Sequence, residues 1–411
     1  MGKLYGISRR IYDDSDHEVM FRKGEGCFVF DMEGRKYIDL ILGYGPAIMG
    51  HGNAEFADRV QKAVLEGTVF PSYGEKQIIL ADRIKKHYKD HQLLAVYQSG
   101  SDTLMAALKI CRMLTGRKKY IRFGYVGWLE ELFDGGLNWH EPINSSLYNQ
   151  VITKDVVNEN AINWNGDDMD AIEKLCRDRE VACLIADAYQ IDRHPHCNFD
   201  KVVELCKENG VLLVLDETKT AGRVAPYGYY KNKYNFDFTV VGKAVGNGIP
   251  VSLLLGHDQY QTIRYDALKM AGTYTRDLLS CEAVLATEDI MTANNGYQKV
   301  SETGKLLAER LNARLKEIGA ADSLFVNVLL NGGILELCFS KELANDYEMR
   351  KEFSRALLRN HLIIPDGHCF YICTEHFKVI DQIESSFIQA YKEVYAKDSL
   401  LKVKDEFALH T

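Results

Sequence analysis

Seven prolines and three tryptophans are few for 411 residues, and no stretch gathers Pro, Gly and Ser into a linker or low-complexity tract. Disordered and collagen-like classes are excluded, because 46% hydrophobic and 26% charged residues are the proportions of a chain that buries a core. Long apolar runs are missing too. None approaches the roughly 20 residues that span a bilayer, and Met1 to Arg10 lack the apolar stretch of a secretory signal. A membrane partner is therefore not expected, and the expected location is cytoplasmic. Basic excess is absent: 50 Lys+Arg face 58 Asp+Glu, a net charge of -8, so nucleic acid is not an expected partner. The ten cysteines stand singly with no CxxC pair, which suits buried thiols in a reducing compartment better than a disulfide framework. His368, Cys369, Cys373 and His376 lie close in sequence, but Cys-x3-Cys inside an apolar stretch is not a structural zinc spacing. No metal is expected.

What is present is length beyond one hydrophobic core and a pattern that changes along the chain. Gly26 to Leu40 places apolar runs on either side of an Asp-Met-Glu-Gly turn, which predicts a hairpin. Apolar positions then recur at three and four from Asn53 to Glu66 and from Glu75 to Tyr88, which predicts helices. Beyond them, short apolar runs alternate with helical stretches. Leu93 to Tyr97, Cys183 to Ala186, Val211 to Leu215, Phe238 to Val241 and Val251 to Leu255 each read as a buried strand, so the fold class is α/β. Past Ser280 the chain reads as mostly helical to Ile318, then as a strand pair near Leu324 to Leu330 and Gly333 to Phe339, then as a last helix from Val379 to Tyr395. The strand-rich N-terminus is expected to pack with this C-terminal unit.

Four local features carry chemistry. Lys243 follows the strand Phe-Thr-Val-Val-Gly and precedes Ala-Val-Gly-Asn-Gly-Ile-Pro. A partly desolvated lysine there can form a Schiff base with an aldehyde, whereas a structural lysine sits on a solvated face. Asp216 and Glu217 end another strand, at the carboxyl edge where open α/β sheets bind ligands. A carboxylate so placed can hold a protonated ring nitrogen, cap a loop or pair with Arg223. Tyr97-Gln-Ser-Gly-Ser-Asp-Thr passes from strand through small residues into a helix. This is a cup for an anion, although Ser and Asp also cap helices with no ligand. Tyr125 and Trp128 can stack on a flat ligand or fill the core.

The order of these parts, an anion cup, an aromatic, a strand-end Asp and then a strand-end Lys, resembles that of the class III aminotransferases. These are pyridoxal phosphate enzymes of fold type I, and the resemblance is strongest to the branch of glutamate-1-semialdehyde aminomutase. It runs from about Gly24 to Tyr395. Gly26 to Asp39 matches the family's G-x-x-x-x-D-x-x-G-x-x-Y-I-D, and Tyr44-Gly-Pro-Ala-Ile-Met-Gly-His51 matches its W-G-P-x-I-x-G-H. Asp216 to Arg223 matches D-E-V-x-T-G-F-R, and Gly242 to Pro250 matches G-K-x-[LI]-G-G-G-[LM]-P.

The resemblance implies a large, mainly parallel-sheet domain at 53-285 and a smaller α+β domain formed by 1-52 with 286-411. The implied cofactor is pyridoxal 5′-phosphate, bound by Lys243 at the aldehyde and Asp216 at the pyridine nitrogen. Ser99, Gly100 and Ser101 are implied at the phosphate, Tyr125 on the ring face, and Lys219 near the phenolic oxygen. A homodimer with interface sites is implied as well, with Thr273 of one subunit reaching its neighbour's phosphate. Tyr44, Trp128 and Arg276 are candidates for the substrate.

Departures from the family pattern gather around the site. Ile185-Ala-Asp-Ala-Tyr-Gln190 stands where relatives have E-P, and Arg276-Asp277-Leu278 replaces a small G-N-P turn. Lys219 stands where aminotransferases have Gln and aminomutases an apolar residue, and it either faces the cofactor or pairs with an acid such as Glu217. The stretch Asn138 to Asn165, rich in Asn, lacks the relatives' Gly-Pro hinge. The expected activity is therefore amino transfer from an amino-acid donor to a small polar carbonyl acceptor, sugar-like or phosphorylated. The alternatives are intramolecular aminomutase or epimerase chemistry on the same residues, and a catalytically silent member of the fold.

Overall fold

The computed structural model describes residues 11–15, 17–133, 139, 141–142, 145–146, 158–263 and 269–395. Three antiparallel strands open it: β1 (Phe21–Glu25), β2 (Phe28–Asp31) and β3 (Lys36–Asp39). The β2–β3 turn falls on the expected Asp-Met-Glu-Gly because the Asp31 carboxylate accepts the N–H groups of Glu33 and Arg35 while Gly34 takes φ 86°. β1 lies outside the predicted hairpin, its polar Arg-Lys-Gly-Glu carrying no apolar signal. Helix α1 (Ala54–Glu66) starts where Asn53 accepts from the N–H of Phe56, and α2 (Glu75–His87) follows.

The next segment builds the main sheet. In chain order it contains β4 (His91–Tyr97), α3 (Gly100–Thr115), β5 (Lys119–Phe123), β6 (Ala161–Asn163), α4 (Met169–Arg177) and β7 (Val181–Asp187). It continues through α5 (Ala188–Arg193), α6 (Phe199–Asn209), β8 (Leu212–Glu217), β9 (Phe238–Gly242) and β10 (Ser252–His257). The strands lie in the order β4-β10-β9-β8-β7-β5-β6. β10 runs antiparallel to both its neighbours, and the pairs on the β9 to β6 side are parallel. All of β7 and β9, and nearly all of β8, is buried, which is why their sequences are continuous apolar runs rather than alternating ones. β5 and β6 escape the sequence reading because Lys-Tyr-Ile-Arg-Phe mixes charge into a buried strand and Ala-Ile-Asn is only three residues long.

The remainder comprises α7 (Leu278–Ala293), α8 (Gly296–Glu317), β11 (Leu324–Leu329), β12 (Ile334–Phe339), α9 (Lys341–Asn345), α10 (Tyr347–Arg359), β13 (Leu362–Ile363), β14 (Phe370–Tyr371) and α11 (Ile380–Tyr395). The helical run past Ser280 breaks at Asn294–Asn295, where Asn295 takes φ 52°. Gly304 on α8 admits no side chain, since a Cβ there would stand 1.9 Å from the carbonyl oxygen of Gly332. β11, β12 and β14 form a second antiparallel sheet. β13 instead joins the N-terminal sheet beside β3, pairing Leu362 with Ile38, so the two chain ends pack together as expected. The N–H of Tyr371 donates to Leu40 O at 2.9 Å and reinforces the joint. Among the described residues, no helix is long and apolar enough to cross a membrane.

Candidate active site

The carboxyl ends of β7, β8 and β9 converge at one edge of the main sheet. Asp187 closes β7 and pairs in register with Asp216 on β8, so the ladder sets two carboxyl groups side by side. β9 ends at Gly242, and Lys243 opens a single 3-10 turn (Lys243–Gly246) at φ 51°. A left-handed lysine costs on the order of 1 kcal/mol, an outlay found where a side chain must be aimed at a site. Lys243 is only partly exposed. Burial, then the neighbouring cations Lys219 and Arg223, lower its pKa to about 8. Asp216 is buried. Its pKa is raised to about 6, by burial first and by Asp187 second, against the N–H of Thr218, which donates to it at 2.9 Å.

The segment read as an anion cup opens α3. Ser99 caps α3, its Oγ accepting from the N–H of Asp102 at 3.3 Å and donating to the Asp102 carboxylate at 2.7 Å. Ser101 is buried, and its Oγ accepts from the N–H of Trp128 at 3.3 Å, which draws the 125–128 loop over the helix start. Gly127 lets that loop close, at φ 128° and with space for a Cβ only 2.8 Å from Ser101 Oγ. A Cβ on Gly100 would stand 2.7 Å from Thr218 Oγ1, a buried oxygen on the Asp216 side of the cup. A hydroxyl beside the first N–H groups of a 16-residue helix fits a bound phosphate.

Lys219 does not pair with Glu217, as one reading held. Its ammonium bonds the Asp187 carboxylate, and both residues are buried. The same nitrogen lies 4.9 Å from the ring centre of Tyr189 and 5.6 Å from that of Tyr125. Glu217 is used structurally, accepting from Thr220 Oγ1 at 2.7 Å and from the N–H groups of Tyr229 at 2.6 Å and Tyr230 at 2.8 Å. Arg223 does not pair with Asp216 either. Its guanidinium donates to Gly45 O at 3.0 Å and to Lys219 O, and it lies 4.3 Å from the ring centre of Tyr371.

At the rim, Tyr44 takes φ 64° and meets His368 edge-on at 5.5 Å, while Tyr125 and Trp128 are exposed. Thr273 and Arg276 share an exposed 3-10 turn (Thr273–Arg276) tied back by Gln98, whose amide donates to Tyr274 O. Arg276 makes no salt bridge among the described residues; it donates to Pro71 O at 2.6 Å. Most of 138–165 lies outside the described residues. The His/Cys group at 368–376 is spent on packing, with His376 accepting from the N–H of Cys373 and donating to Asp39 O. Asp187, Thr218 and Tyr189 are the residues sequence reasoning passed over. Asp187 carried a signal: like Asp216, it is an acid closing a fully apolar run.

The family model described as aminotransferase class-III matches residues 11–368. A glutamate-1-semialdehyde 2,1-aminomutase of Methanocaldococcus jannaschii is 26% identical over 95% of this chain and 94% of its own. Among solved structures, a transaminase with pyridoxal phosphate bound superposes with a TM-score of 0.79 at 21% identity, covering 95% of this chain and 94% of that one. A glutamate-1-semialdehyde-aminomutase from Pseudomonas aeruginosa PAO1 gives 0.76 at 20% identity, covering 92% and 88%. The fold is that of these fold type I enzymes.

Proposed function

Since the chain belongs to the class-III aminotransferase family, whose cofactor is pyridoxal 5′-phosphate, we propose that it moves an amino group from an amino-acid donor to a small polar carbonyl acceptor. Bound at this edge, pyridoxal phosphate supplies an aldehyde and a ring that accepts electrons. In this reading Asp216 binds the ring nitrogen and keeps it protonated. The start of α3, with Gly100, Ser101 and the hydroxyl of Thr218, would take the phosphate. Ser99 serves that cup as its cap, and Tyr125 covers the ring face. Lys243 would hold the aldehyde and, as a free amine, would carry the donor's α-proton as a base. A pKa lowered to about 8 leaves roughly a tenth of its amine unprotonated at pH 7, far more than an ordinary lysine offers, as base chemistry needs.

The observation that carries intermolecular transfer is the buried Lys219–Asp187 pair, a charged group at a position that is apolar in typical aminomutases. The substrate candidates at the rim are Tyr44, Trp128 and Arg276, whose guanidinium also donates to Pro71 O. The aminomutase names of the relatives favour the second reading, which uses the same residues without a separate acceptor. The two part on one test. We expect the aminated enzyme, given glutamate 1-semialdehyde alone, to make little 5-aminolevulinate, and a screen of donors and acceptors to find a faster pair. Efficient 5-aminolevulinate formation with nothing added would reverse the assignment. The same reading places the domains at 1–52 with 286–411 and at 53–285, supported by the β3–β13 pairing, with the second boundary inside α7.

A further inference from the structure

Two buried carboxyl groups stand abreast at the ends of β7 and β8, and one ammonium is bonded to the first of them. We propose that Asp187 and Lys219 work as a positioning pair, each charge offsetting most of the other's effect on Asp216, the anion of the site, and on Lys243, its reactive amine. The inference builds on the roles proposed above for Asp216 and Lys243 and adds Asp187, whose carboxylate carries no role in them.

The geometry makes the pair a unit rather than two neighbours. Asp187 Oδ1 accepts from the N–H of Tyr189 at 3.1 Å and caps α5, while Oδ2 holds Lys219, so the carboxylate is fixed from both sides. The Lys219 ammonium lies within 5.6 Å of the Tyr125 ring centre and 4.9 Å of that of Tyr189, and its backbone oxygen takes the Arg223 guanidinium. Neither charge has water to fall back on, so removing one leaves the other uncompensated. An uncompensated Asp187 would repel Asp216 and hold a proton on Lys243. An uncompensated Lys219 would do the reverse to both.

The groups facing Lys243 are few. Asp216 comes from β8, Lys219 and Arg223 from the turn after it, and Cys369 from the approach to β14. Helix α7 also packs on the turn of Lys243, but its Cys281 is a buried thiol and its acids are engaged elsewhere. Glu282 pairs with Arg59 and Lys76, and Glu288 with Arg83 and His87.

The test uses Lys219→Met, Asp187→Asn and the double variant, which keep the stem of the first residue and the capping oxygen of the second. Each purified protein, stripped of cofactor, is exposed to pyridoxal phosphate across a pH series, trapped with borohydride and mapped for label on Lys243. The wild-type midpoint is expected near 8. Lys219→Met should raise it and Asp187→Asn lower it, each by about one unit, and the double variant should return toward the wild type. Should Lys219→Met fail to fold, the downward shift in Asp187→Asn still decides. The proposal is overturned if the double variant behaves as Lys219→Met alone, which means that Lys219 acts through its own contacts, or if the single variants leave the midpoint unmoved. Failure of the underlying reading looks different: the wild type would then carry no label on Lys243 at all.

Discussion

Asp216→Asn replaces a buried anion with an amide of the same shape, so its effect isolates the charge. An amide cannot hold a proton on a ring nitrogen, and we expect turnover to fall on the order of 100-fold or more while the melting temperature stays near that of the wild type. Near-normal turnover would remove the role. The same charge predicts a pH limit. The carboxyl of Asp216 has its pKa raised to about 6 by burial and Asp187, so it is ionised above that value and protonated below it. Cofactor affinity, titrated by absorbance, should therefore weaken as pH falls through about 6. A flat affinity down to pH 5 would contradict the assignment.

At the scale of elements, the tight joint is between the start of α3 and the turn after β8, where Gly100 faces Thr218. Gly100→Ala adds a methyl against Thr218 Oγ1 at the mouth of the phosphate cup, and overpacking of this kind costs about 1–3 kcal/mol. The expected result is a cofactor dissociation constant raised roughly tenfold, by titration, with an additional Thr218→Ser change that removes a methyl from the crowded side restoring part of it. No loss of affinity in Gly100→Ala would show that the cup is not where the cofactor binds. This joint also shows how far sequence reading reached. Strand-end Asp216, strand-end Lys243 and the small-residue start of α3 were legible because each marks a change from apolar run to loop. The partner of Lys219 was not. It depends on which strand lies beside β8, and the β7–β8 register that sets Asp187 against Asp216 is a property of sheet order. For the same reason the buried use of Glu217 was hidden, because its partners at 229–230 come from the loop that leads to β9. The short strands β13 and β14 and the charged β5 were missed as elements, although the packing of the two chain ends was anticipated.

Over the whole molecule, large apolar side chains stand in solvent along one stretch of chain: Leu65, Phe70, Tyr73 and Ile78, with Tyr274 joining from the turn that carries Thr273. The 67–74 loop and that turn are tied together by Arg276 and by a bridge between Val69 and Asp277. Exposed apolar surface of this kind marks an association site. We propose a homodimer in which this surface meets its copy and Thr273 reaches the neighbour's phosphate cup. Sedimentation should give a dimer, and Tyr73→Lys together with Ile78→Lys should yield a monomer that loses both cofactor affinity and activity. A fully active monomer would refute the shared site.

The central claim is that the edge formed by β7, β8 and β9 delivers Lys243, and no other lysine, to the cofactor. Its most direct test is borohydride reduction of the purified protein loaded with pyridoxal phosphate, followed by peptide mapping. The account predicts a single pyridoxyl label, on Lys243, and none in Lys243→Ala, which should stay folded and lose turnover. A label on Lys219, the buried lysine of the site, would contradict it.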